Sequence, residues 1–172
     1  MSSIVKSAIF SIFLVVILWG CSSSTDPMNE ASAIMQFTPD NVDVSVGSET
    51  IVTLEFSELT VPVFGLSLQI AYDSTYVSFS DTLNIESGDF LGNGALTFTR
   101  ISETMIYLTI TRVQGQESVG GAGVICTLPF MARAVGISTI ELLDGAVHLF
   151  DSAGDEIDNS GLETGGVSVS VR

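Results

Sequence analysis

Basic residues are almost absent. Lys6 is the only lysine, and Arg100, Arg112, Arg133 and Arg172 complete the cations against 20 acidic residues, for a net charge of −15 over 172 residues. A chain so acidic repels phosphate backbones and anionic lipid headgroups, so nucleic acid is excluded as a partner and attachment to a membrane needs a covalent anchor. His148 is the only histidine. Catalytic triads and histidine metal sites therefore lack their usual components. No glycine-rich phosphate loop, paired-cysteine motif or spaced carboxylate pair appears, so the expectation is a chain that is not an enzyme and holds no cofactor or metal. Trp19 is the only tryptophan, and the tyrosines are Tyr72, Tyr76 and Tyr107. A flat aromatic strip for stacking on sugar rings cannot be assembled from these. Helical periodicity is also missing, and no apolar run reaches the roughly 20 residues that span a bilayer.

What is present begins with an address. Lys6 precedes an apolar run from Ala8 to Trp19, broken only by Ser11. A short apolar run behind a positive start is the pattern of a signal peptide. It ends in Leu18-Trp19-Gly20-Cys21, which resembles the lipobox of bacterial lipoproteins: leucine at −3, a small residue at −1, then the cysteine that is acylated. Trp19 stands where a small residue is usual. Ser22 to Pro27 then forms a polar tether. The expected organisation is a lipoprotein signal peptide over residues 1–20, lipidated Cys21 with a tether over 21–33, and one domain over 34–172. Loss of Lys6 would leave four arginines against the 20 acids, a net charge of −16. Acylation of Cys21 would hold the protein in the membrane firmly, where one chain alone is marginal. Serine after the cysteine is usual in lipoproteins sorted to an outer membrane. Cys126 then has no partner and reads as a buried, inert thiol within the alternation of Val124, Cys126, Leu128 and Phe130.

The rest of the chain is a series of period-two segments divided by turn residues. Val42, Val44 and Val46 alternate with polar neighbours. Ile51 to Phe56 follows, and Phe64, Leu66, Leu68, Ile70 and Tyr72 make the longest clean alternation. Val77-Ser78-Phe79, Leu96 to Thr99, Ile106 to Thr111, Val124 to Ala134, Thr139 to Leu142, Val147 to Phe150 and Val167 to Val171 complete the set. About nine short strands with glycine, asparagine and aspartate turns predict an all-β sandwich with a jelly-roll or Greek-key path. Asp151 to Asp158 is acidic but is not a calcium-binding helix-loop-helix sequence, since Ala153 occupies a ligand position and Glu156 stands where glycine is needed. Aspartate-rich turns have ordinary conformational causes.

The order of motifs from Val42 to Val171 resembles the cohesin domain, within the cohesin and cellulose-binding β-sandwich group. The matching pieces are Val46-Gly47-Ser48-Glu49-Thr50-Ile51-Val52, Gly65 to Asp73 with its terminal Tyr-Asp, Gly88-Asp89-Phe90, Gly123 to Leu128, Ala132-Arg133-Ala134-Val135-Gly136 and Gly165 to Val169. The resemblance implies a nine-stranded sandwich of jelly-roll topology. It also implies that the flat sheet of strands 8, 3, 6 and 5 carries the partner. Mapped onto this sequence, that face has Ser67, Gln69, Thr97, Thr99, Tyr107, Thr109, Thr139 and Glu141 pointing outward, with Tyr107 as its large anchor. The expected function is a non-catalytic binding module tethered to the cell envelope, at the outer membrane or cell surface, that recognises a dockerin-type or other protein. The alternatives are a polysaccharide-binding module and a structural envelope protein.

Overall fold

The computed structural model describes residues 32–79 and 84–172. The expected signal peptide, Cys21 and the tether up to residue 31 lie outside the described residues. Every regular element is a strand: β1 (Ser32–Thr38), β2 (Asn41–Val44), β3 (Glu49–Leu59), β4 (Gly65–Tyr72), β5 (Val77–Phe79), β6 (Glu86–Ser87), β7 (Leu96–Ile101), β8 (Met105–Thr111), β9 (Gly123–Ala132), β10 (Gly136–Leu142), β11 (His148–Phe150), β12 (Glu156–Ile157), β13 (Gly161–Thr164) and β14 (Val167–Val171). β1 and β2 are the two halves of one extended run, divided at the Thr38–Pro39 turn. Taken as one, they bring the principal strands to the nine expected. β6, β11, β12 and β13 are short additions.

The strands form two sheets. One runs β13-β1-β3-β9-β5, with β6 also on β9. β1 lies inside it, antiparallel to β3 on one side and parallel to β13 on the other. The second sheet runs β7-β8-β4-β10-β14-β2, and β11 takes the part of the β4 edge that β10 leaves free. The chain crosses from one sheet to the other at the β1–β2 turn, so the first half of the run lies inside one sheet and the second half forms the edge of the other.

The alternation explains why these sheets face each other. Leu66, Leu68, Ile70 and Tyr72 of β4 and Ile106, Leu108 and Ile110 of β8 point to one side. They meet Val52, Leu54 and Phe56 of β3 and Cys126, Leu128 and Phe130 of β9. Each such side chain contributes about 1.5–3 kcal/mol when fully buried. Phe130 is met edge-on by Tyr72 and Phe79, with ring centroids 5.4 and 6.1 Å away.

Two details depart from the alternation read in the sequence. β9 carries a bulge: Leu54 pairs with Cys126 but Glu55 pairs with Val124, which leaves Ile125 as the extra residue. Cys126, Leu128 and Phe130 therefore share the core face as expected, whereas Val124 turns to the other side with Glu55. Secondly, β1 starts at Ser32, two residues before the expected domain boundary, and buries Ala33, Met35 and Phe37. The exposed Ile34 between them hides the period-two pattern inside an apolar run.

Several motif residues have plain structural causes. A Cβ on Gly88 would lie 2.0 Å from the Val124 carbonyl oxygen. Beside it Phe90 donates its backbone N–H to that carbonyl at 2.9 Å, and the Asp89 carboxylate accepts the Val124 N–H at 3.3 Å. Gly-Asp-Phe is thus the clasp that closes β6 onto β9. Gly136, at φ +153°, starts β10 with the Tyr76 ring occupying the place a Cβ would take. The Tyr72 hydroxyl donates to the Ser102 carbonyl at 2.8 Å, and burial raises its phenol pKa. Asp73 donates its N–H to the buried Ser138 hydroxyl and accepts the Thr75 N–H at 2.9 Å. That last bond, with the Thr75 hydroxyl, holds the Asp73 carboxyl below its ordinary value.

Candidate partner-binding face

The outward side of the second sheet is built from cross-strand rows. Leu96, Thr111, Gly65, Phe150 and Glu156 form the first. Phe98, Thr109, Ser67 and His148 form the second. Arg100, Tyr107 and Gln69 make the third, and Met105, Ala71 and Glu141 the fourth. Paired residues in an antiparallel ladder share a face, so each row is a line of neighbouring side chains. Beyond it, Thr139 pairs with Ser168 and Ile137 with Ser170 of β14.

Six of the eight expected face residues stand on this surface: Ser67, Gln69, Tyr107, Thr109, Thr139 and Glu141. The Thr109 hydroxyl bonds to that of Ser67 at 3.2 Å. Thr97 and Thr99 do not belong to it. They pair with Ile110 and Leu108, whose side chains are buried in the core, and the Thr97 hydroxyl bonds to that of Ser87 on the other sheet. β7 therefore has the opposite phase to the one read from its sequence. Its outward residues are Leu96, Phe98 and Arg100.

The inversion changes the character of the face. Phe98 is 61% exposed and Leu96 47% exposed. An apolar strand face normally turns to the core, and leaving a phenylalanine in water forgoes about 1.5–3 kcal/mol of burial. Leu96 and Phe98 thus lie side by side at the outward edge of their rows, with Thr109, Thr111 and Ser67 as polar neighbours. Sequence reasoning missed Phe98 because Leu96 and Phe98 alternating with Thr97 and Thr99 read as the buried side of a strand. The signal available was Arg100, which shares the phase of Leu96 and Phe98, while Ile101 shares that of the threonines.

Charged side chains on these rows are few. The Arg100 guanidinium lies over the Tyr107 ring, 4.0 Å from its centroid. His148 points outward, and its Nδ1 is 2.6 Å from the Glu156 carboxylate. Among the described residues no three histidine, cysteine or acidic side chains are placed to hold a metal. The Asp151 carboxylate accepts the N–H groups of Ala153 and Asp155 at 2.8 and 2.9 Å, so it shapes the β11–β12 turn. Cys126 is enclosed in the core, and burial pushes its thiol up to about 12.

Comparison with solved structures places this fold among cohesins. The third cohesin of ScaC from Acetivibrio cellulolyticus, solved with the ScaB dockerin, is similar at a TM-score of 0.65 and 19% identity, covering 81% of this chain and 98% of that one. A type II cohesin from the cellulosome of the same organism gives 0.66 and 15%, covering 81% and 95%. The OlpA cohesin of Clostridium thermocellum, in complex with the dockerin Doc918, gives 0.63 and 18%, covering 84% and 100%. No curated protein matches the chain. The sheet order β10-β4-β8-β7 is the order 8-3-6-5 implied by the motifs. Residues 35–169 match the cohesin domain as a family, and with the motif order, the two-sheet fold and the exposed sheet face all in agreement, the chain belongs to the cohesin domain family of non-catalytic binding modules.

Proposed function

We propose that the protein is a dockerin-binding module of the cell envelope, and that its partner docks on the outward face of β7, β8, β4 and β10. The observation that carries this reading is Phe98, held in solvent at the edge of that face. It is flanked by Thr109, Ser67, Gln69 and Tyr107, which can supply hydrogen bonds around an apolar anchor. Interfaces of this kind draw most of their affinity from a few aromatic or arginine anchors, with polar groups around them excluding water. Several solved relatives are cohesins in complex with dockerins. The acidic surface favours a basic partner, whose association weakens as salt rises. Residues 1–21 supply the attachment: export by the signal peptide and acylation of Cys21.

The test is capture. The immobilised protein is exposed to dockerin-bearing proteins and, in parallel, to insoluble cellulose and chitin. Dockerin retention that is lost in Phe98→Asp supports the reading. Retention on a polysaccharide without capture of any dockerin replaces it with the carbohydrate-binding alternative, and failure in both arms favours a structural envelope role. For the anchor, Cys21→Ala should abolish membrane partitioning. A wild-type protein that enters the aqueous phase of a detergent separation would rule the anchor out.

A further inference from the structure

β7 lies at the edge of its sheet, and its register fixes which backbone groups are already used. Across the turn to β8, Ser102 donates its N–H to the Met105 carbonyl at 2.8 Å. Bonded pairs alternate along an antiparallel ladder, so Arg100, Phe98 and Leu96 exchange bonds with Tyr107, Thr109 and Thr111. The other flank of β8 agrees. Arg112 donates to the Phe64 carbonyl at 2.9 Å, which assigns Ile106, Leu108 and Ile110 to β4. The N–H and carbonyl groups of Thr97, Thr99 and Ile101 therefore point away from β8, and among the described residues no strand meets them.

Edge strands in natural proteins are kept from pairing by shortness, charge, proline or a bulge. The other outer strands follow that rule. β5, β6 and β12 have two or three residues, while β2 and β13 have four each and carry Asp43 and Glu163. β7 has six residues in unbroken register, with no lysine, proline or acid. Its only charge is Arg100, in a chain with 20 acidic residues. The three free residues are centred on Thr99, so the edge is its own complement under a two-fold axis at that residue. Thr99 then meets Thr99 of a second copy, and Thr97 meets Ile101. Phe98 falls opposite Arg100 on both sides of the axis, an aromatic–cation pair, and no like charges are opposed. We infer that a second copy of this chain adds its β7 antiparallel to this one, joining the two outward faces into one sheet. The outer strand at either end of that sheet is β2, short and carrying Asp43, so assembly closes at the dimer. The inference does not rest on the docking of a dockerin.

The full-length chain carrying Cys21→Ser is held in excess non-ionic detergent, which isolates the apolar N-terminal run. Sedimentation velocity then follows it over a dilution series at low and high salt. A dimer should form with rising concentration and tighten as salt rises, because both copies are acidic. Capture of a basic partner weakens with salt, so the two associations are told apart. Thr99→Pro removes the free N–H without touching the ladder to β8, a change that an edge position tolerates. It should weaken the dimer about tenfold or more. Thr99 is exposed, so it also accepts a charge. Thr99→Asp and Thr99→Lys each oppose like charges at the axis and should be monomers alone. Mixed in equal amounts they should form the mixed dimer, which also shows that both fold. A wild type that stays monomeric at every concentration overturns the inference without recourse to any variant. So does a dimer indifferent to Thr99→Pro, or a mixture no more associated than its parts.

Discussion

Arg100 lies over Tyr107, its guanidinium carbon 4.0 Å from the ring centroid. The large ring first read as the anchor of the face is thus already covered from one side by its own neighbour in the row, whereas Phe98 is bare. Cation–π contacts of this exposed kind contribute about 0.5–1 kcal/mol. They hold both side chains in place ahead of any partner.

Phe98→Ala is expected to cost about 2 kcal/mol or more of partner binding. Its thermal midpoint should stay close to wild type, because the side chain packs against little. Tyr107→Ala should cost less binding than Phe98→Ala. Calorimetric titration against a captured dockerin reads both, and an inverted order would return the anchor to Tyr107.

Leu68 is buried mid-strand, and Ser67 beside it faces out. Leu68→Ala leaves a cavity between the sheets and should lower stability by about 2–5 kcal/mol. Ser67→Ala removes one half-exposed hydroxyl pair with Thr109 and should cost about 0.5 kcal/mol. Urea unfolding of the two variants measures the contrast, and equal losses would contradict the strand phase.

Gly88→Ala pushes a methyl group into the Val124 carbonyl, whose oxygen would be only 2.0 Å away. The clasp must open, at a cost of about 1–3 kcal/mol or more. Gly165 is the control, since an added Cβ meets nothing closer than Gln36 at 3.6 Å. Gly165→Ala should be neutral or slightly stabilising, through the narrower freedom of its unfolded chain. Comparable losses at the two positions would refute the steric account.

Cys126 offers a pH test. Its pKa rises on folding from the ordinary 9.0 to about 12, because burial disfavours the thiolate. A group with a raised folded pKa holds its full contribution below the unfolded value and loses it as pH climbs through the window from 9.0 to about 12. The stability difference between wild type and Cys126→Ala should therefore shrink across that window. In the Cys21→Ser background, a thiol reagent at neutral pH should label nothing until denaturant is added. Prompt labelling of the native protein would mean that the core opens.

Two-sheet architecture was legible because β3, β4, β8 and β14 each bury one face, and period-two alternation then fixes which residues meet. The motif glycines were legible for a related reason: Gly88 and Gly136 occupy places where a side chain would strike a neighbouring chain segment. What stayed hidden depended on pairing. The Ile125 bulge reverses Val124 through one unpaired residue, which no pattern within β9 announces. β7 alternates only as far as Thr99, and its phase shows in the pairing of Arg100 with Tyr107. That one slip exchanged Thr97 and Thr99 for Leu96, Phe98 and Arg100 and altered the face from uniformly polar to partly apolar. The first two rows needed β11 to settle beside β4, a contact between segments some 80 residues apart in the sequence.

β1 has mechanical consequences as well. On the proposed reading, a module held by its N-terminus and gripped on a distant face would carry load whenever cell and partner are pulled apart. Traction entering at Ser32 runs along β1, which is laddered to β3 on one flank and β13 on the other. Force along a doubly bonded strand must shear both ladders together instead of unzipping them one rung at a time. A partner on the proposed face would grip the opposite sheet, so the pull would cross the packed interior before it reached that face. With this layout, the contact at Phe98 would yield before the domain does.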